Sequence, residues 1–166
     1  MKEYSYDRNK AVEYAKKWAL SRNNNYFDFE QYGGDCTNFT SQCLLEGTGV
    51  MNYTRTYGWF YNSSYDRAPA WTGVQFFSNF ILKNKSVGPF AIEVDISSIE
   101  IGDIIQVGTN KSFYHSLIVT DIMQENSPCI ENILVCAHSF DVFQRPLSSY
   151  VFERIKFLHI QGFRIF

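Results

Sequence analysis

The succession of two periodicities constrains this chain most. Up to about residue 83, apolar residues recur at helical steps of three and four; from Phe90 onward they gather in short β-type runs separated by Gly, Asn, Ser and Pro. Residues 7 to 20 read as a helix capped by Asp7, with Ala11, Val12, Tyr14, Ala15, Trp18 and Ala19 along one side. A second helix is expected after Gly33-Gly34, with Asp35 as N-cap, Phe39, Cys43 and Leu44 on one face, and Gly47 and Gly49 as its stop. Thr72-x-x-Gln75 reads as a capping box for a third, carrying Val74, Phe77, Phe80 and Ile81. Strands are expected at 104–107, 116–120, 133–137 and near the end over 155–165, and residues 50–70, rich in Tyr and Trp, as a structured loop. Helices first and strands afterwards predict an α+β domain, with N-terminal helices packed on a mostly antiparallel sheet.

At 166 residues the chain has the size of one domain, spanning 1–166. Fifteen basic against seventeen acidic residues give a net charge of -2, so no basic stripe points to nucleic acid. No window approaches the ~18 apolar residues of a membrane span. The start, Met1 to Asp7, lacks the basic-then-apolar layout of a secretory signal, and localisation is open on that ground. Nothing in the sequence speaks to the oligomeric state.

Four cysteines and three histidines hold the reactive inventory. Cys36 and Cys43 lie seven apart on one expected helix, roughly 10 Å along its axis, which is beyond disulfide reach. Cys43, Cys129 and Cys136 read as packing or turn residues, and without a C-x2-C pair no metal site is expected. Cys36 differs because it opens a helix after two glycines. There the helix's positive end lowers a thiol's pKa, and the residue's own N–H can face a developing oxyanion. Such a nucleophile needs a base. If the strands around 116–120 and 133–137 pair about a turn centred between Asn126 and Ser127, His115 and His138 oppose each other on one face. His159 reads as a structural strand residue.

Taken in order, Gly33-Gly34-Asp35-Cys36-Thr37-Asn38-Phe39 with Ser41-Gln42, Trp71-Thr72-Gly73, Gly102-Asp103-Ile104-Ile105, His115 to Thr120, and Ala137-His138-Ser139-Phe140-Asp141 with Arg145-Pro146-Leu147 resemble the bacterial putative amidase domain of the papain-like NlpC/P60 and CHAP superfamily. The resemblance implies a papain-like, NlpC/P60-type fold and a cysteine amidase or peptidase acting on amide bonds, often those of cell-wall peptidoglycan, through a thioester and without a cofactor. It implies Cys36 as nucleophile, His115 as general base and His138 as the residue that orients it. Asp141 is the alternative third residue, unless it pairs with Arg145 instead. The papain pattern sets an oxyanion-hole Gln several residues before the cysteine; only Gln31, five before, stands near that place, beside the backbone N–H of Cys36. Asp103 belongs to the pattern as a structural turn residue. A secreted or cell-wall-associated setting follows from the same resemblance. Two further readings stay open: a transglutaminase-like acyl transferase, and a catalytically inactive domain that binds cell-wall fragments through its aromatic loop.

Overall fold

The computed structural model describes residues 1–123 and 127–166. Helix α1 (Arg8–Trp18) starts where the Asp7 side chain accepts the N–H of Lys10 at 3.1 Å. Its Ala11 and Ala15 are fully buried, and such small side chains let α2 (Cys36–Thr48) approach closely. Gly49, in the left-handed conformation at φ 67°, ends α2 with its N–H on the Leu45 carbonyl. Gly47 lies inside the helix rather than stopping it: a Cβ there would clash with the Tyr6 ring.

The loop that follows carries two isolated bridges, Asn52 to Trp59 and Tyr61 to Arg67. It leads to the short α3 (Pro69–Thr72) and to α4 (Val74–Lys83). The expected Thr72–Gln75 capping box does not form. Gly73 is the cap, Thr72 Oγ1 accepts from Arg67, and Gln75 turns to Ser78 and Asn79. Pro69, which the helix accepts in its first turn, starts a separate helix just before and so displaces the box.

The strands are β1 (Lys2–Tyr4), β2 (Gly88–Val94), β3 (Ile104–Gly108), β4 (Phe113–Ile122), β5 (Ile133–Ala137), β6 (Val142–Pro146) and β7 (Arg154–Ile165). They form an antiparallel sheet in the order β1-β7-β3-β4-β5-β6, with β2 also on β7. The chain is therefore an α+β protein. Alternating residues split between two cores. Ile104, Ile118, Cys136, Leu158 and Ile160 pack against the helices with Phe39, Cys43, Trp59 and Trp71. On the other face Ile105, Val107, Leu117, Val119, Val135 and Ala137 are covered by Leu147 and the flanking segments. Burial on both faces explains why β3, β4 and β5 read as nearly unbroken apolar runs.

Between β4 and β5 the register differs from the expected one. Ile118 faces Cys136 and Val119 faces Val135; after a bulge at Thr120, Asp121 faces Leu134. The first pairs are offset by one residue from the register that would oppose His115 to His138, and one residue changes the face. The turn expected between Asn126 and Ser127 lies partly outside the described residues.

Asp103 ties the layers together. Its buried carboxylate receives Arg8 Nη1 at 2.7 Å, the Ile160 N–H at 2.9 Å and the Glu100 N–H at 2.9 Å, and lies 2.8 Å from His159 Nδ1. It sets the turn before β3, as expected, and also joins α1 to β7. Asp103→Asn keeps the shape but removes the negative charge that Arg8 meets, and should cost about 3–5 kcal/mol in urea unfolding. A loss below about 0.5 kcal/mol, the range of ordinary surface substitutions, would mean the cluster is not holding the layers.

Candidate active site

Two glycines with positive φ, Gly33 at 100° and Gly34 at 102°, turn the chain sharply into α2. Phe29 N–H reaches Asp35 Oδ1 at 2.8 Å, and Gly34 N–H reaches the Phe29 carbonyl at 3.2 Å, closing the loop on itself. Asp35 occupies the N-cap position but does not cap. Its fully buried carboxylate instead accepts from Phe29 N–H and from Asn38 Nδ2 at 2.9 Å, and sits 2.6 Å from His138 Nδ1. Cys36 is thereby fixed as the first residue of α2, where its N–H has no acceptor within the helix.

The Cys36 side chain is buried against β4. Its Sγ lies 3.8 Å from Thr37 Oγ1 and 4.0 Å from the Tyr114 carbonyl. Behind it runs a polar thread: Thr37 Oγ1 is 3.1 Å from Ser116 Oγ, and Gln106 Nε2 donates to Ser116 Oγ and to the Val74 carbonyl. Burial pushes the thiol's pKa up, opposed by the N–H groups of Ser116 and Thr37. The lowered pKa expected at a helix start is therefore outweighed by desolvation.

His115 pairs with Val107 across β3 and β4, just past a bulge. Its ring faces Tyr150, with centroids 6.1 Å apart, on the side of the second core. Burial and the nearby Arg145 charge lower its pKa to about 4. Its ring makes no hydrogen bond among the described residues. The Cys36 sulfur nevertheless touches the same stretch of strand, through the Tyr114 carbonyl next to His115.

His138 is placed elsewhere than expected. Its ring stacks on Phe39 at 4.0 Å, with Nδ1 on Asp35 and Nε2 2.8 Å from the Trp18 carbonyl, so both nitrogens are engaged away from His115. The one-residue offset of β5 carries it to the helix side of the sheet. Asp141 pairs not with Arg145 but with Arg22, at 2.7 and 3.1 Å. Arg145 bonds Ser149 and lies over the Tyr150 ring. Gln31 is exposed on the turn, without a side-chain hydrogen bond among the described residues. His159 is held by Asp103.

Sequence reasoning passed over Arg22 and Ser139. Arg22 stands among Asp28, Glu30, Asp35 and Asp141 within 2.7–3.7 Å, and carries the loop after β5 against the turn before Cys36. Ser139 Oγ accepts the Asp35 N–H at 2.8 Å and donates to Glu30. Ser139 and Phe140 both have φ of 62°, a strained conformation for residues other than glycine. The acids at 28, 30, 35 and 141 were the available signal, since a lone Arg22 between them invites pairing. All four cysteines are free. No group of three His, Cys, Asp or Glu side chains among the described residues is poised to hold a metal ion.

No helix among the described residues is long and apolar enough to cross a membrane. Two uncharacterized Bacillus subtilis proteins are similar to the chain. YhbB is 33% identical over 143 residues, covering 83% of this chain and 43% of YhbB. YjcM is 31% identical over 94 residues, covering 57% of this chain and 20% of YjcM. The chain thus spans less than half the length of either. No solved structure matches it. A family described as "Putative amidase domain" matches residues 5–160, nearly the whole chain and the whole of the Cys36 site: the protein belongs to that family.

Proposed function

We propose that residues 1–166 form one papain-like, NlpC/P60-type amidase unit that hydrolyses peptide-like amide bonds, in the manner of peptidoglycan amidases, with Cys36 as nucleophile and His115 as base. One observation carries this reading. Of the three histidines, His138 is engaged at both nitrogens and His159 by Asp103, whereas His115 has an uncommitted ring on the strand residue that the Cys36 sulfur flanks.

With the thiol pKa raised and the His115 pKa near 4, the resting pair is neutral at pH 7. The cycle therefore starts by general-base transfer rather than from a preformed ion pair. His115 takes the Cys36 proton as the sulfur adds to the amide carbonyl. The oxyanion faces the Cys36 N–H, and the tetrahedral adduct expels the amine, which takes the proton back from His115. Water, deprotonated by His115, then cleaves the thioester and releases a carboxylate and the thiol. His138 acts here as a positioning residue: through Asp35 it holds the turn that aims Cys36, instead of orienting the base.

Incubation with purified peptidoglycan should release fragments with new amine and carboxylate ends, read by mass spectrometry, and Cys36→Ala should release none of them. Identical fragments from both proteins would dismiss Cys36 as nucleophile. His115→Ala should lower kcat by about 10²–10⁴-fold, the span of one general base.

The pKa directions fix a second outcome. Iodoacetamide labelling of Cys36 should keep accelerating above pH 8, because the thiol titrates above its ordinary range. A plateau at neutral pH would instead signal a preformed thiolate. Between the ordinary His pKa and about 4, the unfolded chain takes up a proton at His115 that the folded chain does not. Stability should fall as pH drops through that window, and His115→Asn should flatten the fall measured by urea unfolding.

A further inference from the structure

Beside the Cys36 turn lies a cavity of about 260 Å³ lined by Phe27, Phe29, Tyr32, Ser64, Tyr65 and Arg67. We propose that it is a substrate subsite in which Arg67 binds a carboxylate, with Tyr32 and Tyr65 covering the group that carries it. Calling the ligand part of the amide substrate rests on the amidase reading; the binding itself does not.

Arg67 carries the argument. Its guanidinium lies 4.3 Å over the Phe29 ring, Nε donates to Thr72 Oγ1 at 3.3 Å, and Nη1 donates to the Ser64 carbonyl. A guanidinium has five N–H donors in a fixed fork. Only Nε and Nη1 are used among the described residues, which leaves the Nη2 edge without a partner there. Among the described residues Arg67 forms no ion pair, nor do Arg55, Arg145 and Arg154, and of these Arg67 is the one that lines this cavity. A cation held by three contacts and left without an anion suits bidentate capture of a carboxylate.

The rest of the wall fits the same ligand. Tyr32 is 73% exposed and Tyr65 99%, so neither serves a core, and flat rings cover sugar or peptide faces at small entropic cost. The Phe27 and Tyr32 rings lie 5.6 Å apart and form one side. Phe29, on which Arg67 rests, bonds through its backbone to Gly34 and Asp35, the two residues before Cys36. A ligand seated here is in register with the nucleophile's turn.

A peptide C-terminus and a sugar acid offer the same carboxylate, and the test separates them. The full chain with Cys36→Ala, which binds without turnover, is titrated calorimetrically with N-acetyl-dialanine, with its C-terminal amide, and with methyl glucuronide and its amide. At least one acid should bind tenfold or more tightly than its amide, and the one that does names the source. Arg67→Gln should abolish the preference, and Tyr65→Ala, at a fully exposed position that folding does not need, should weaken the preferred acid severalfold. Acids and amides binding alike, no acid binding tighter than about 10 mM, or a preference kept by folded Arg67→Gln or untouched by Tyr65→Ala would overturn the proposal. Acid preference in a chain that cleaves no amide would leave the subsite standing and remove the amidase reading instead.

Discussion

A carboxylate taken out of water costs several kcal/mol unless charge and hydrogen bonds replace its hydration. Asp35, fully buried, has four such partners: the Phe29 N–H, Asn38 Nδ2, His138 Nδ1 and the more distant Arg22. They come from three pieces of chain. The loop after α1, which carries both Arg22 and Phe29, the first turn of α2 and the residue after β5 must therefore all be in place before Asp35 is satisfied, and Cys36 is the next residue. Placement of the thiol is a consequence of satisfying that one acid. The strain at Ser139 and Phe140 belongs to the same constraint, because Ser139 Oγ must reach the Asp35 N–H. Gly34 follows suit, since a Cβ there would come within 3.0 Å of that hydroxyl.

The layered fold was legible because its signals are periodic. Asp7, Ala11 and Ala15 read as the start and inner face of α1, and the apolar runs at 104, 116 and 133 as strands. What escaped were features without period. β1 is three residues long, β6 ends in Pro146, and β2 was visible only as a change of texture; short or edge strands hold their place by pairing with β7 or β5 rather than by any pattern of their own. The Thr72–Gln75 box was a valid local signal overruled by Pro69 and Gly73.

At the site the motif positions were readable and their partners were not. Cys36 opens a helix as the Gly-Gly turn requires, but two effects compete over its thiol: helix end and N–H donors against burial. Sequence supplies the first, and only packing against β4 reveals that the second wins. His138 turned on a bulge at Thr120 and a one-residue offset, and nothing in a run such as Ile133-Leu134-Val135-Cys136-Ala137 fixes register when both faces are buried. An apolar residue suits either core. Asp141 shows the same limit from the polar side, because Arg145 is near in sequence and Arg22 near in space.

The arrangement divides mobility unevenly on the proposed mechanism. The nucleophile is held by a buried acid, a stacked imidazole and the Arg22 cluster, while the base is a half-buried ring with no polar partner among the described residues. In a triad whose third member grips the base, the proton acceptor is preorganised and its pKa is supported by that partner. Here the third histidine grips the nucleophile's turn instead, leaving His115 neutral and without that support. Reaction then waits on whatever brings the carbonyl and the base to Cys36. A substrate that fills the space over Tyr114 and excludes water from the thiol would strengthen the polar contacts made there. Selectivity in such a site comes chiefly from how the substrate is seated, because the unliganded thiol is protonated and buried, and an amide that does not seat meets no thiolate.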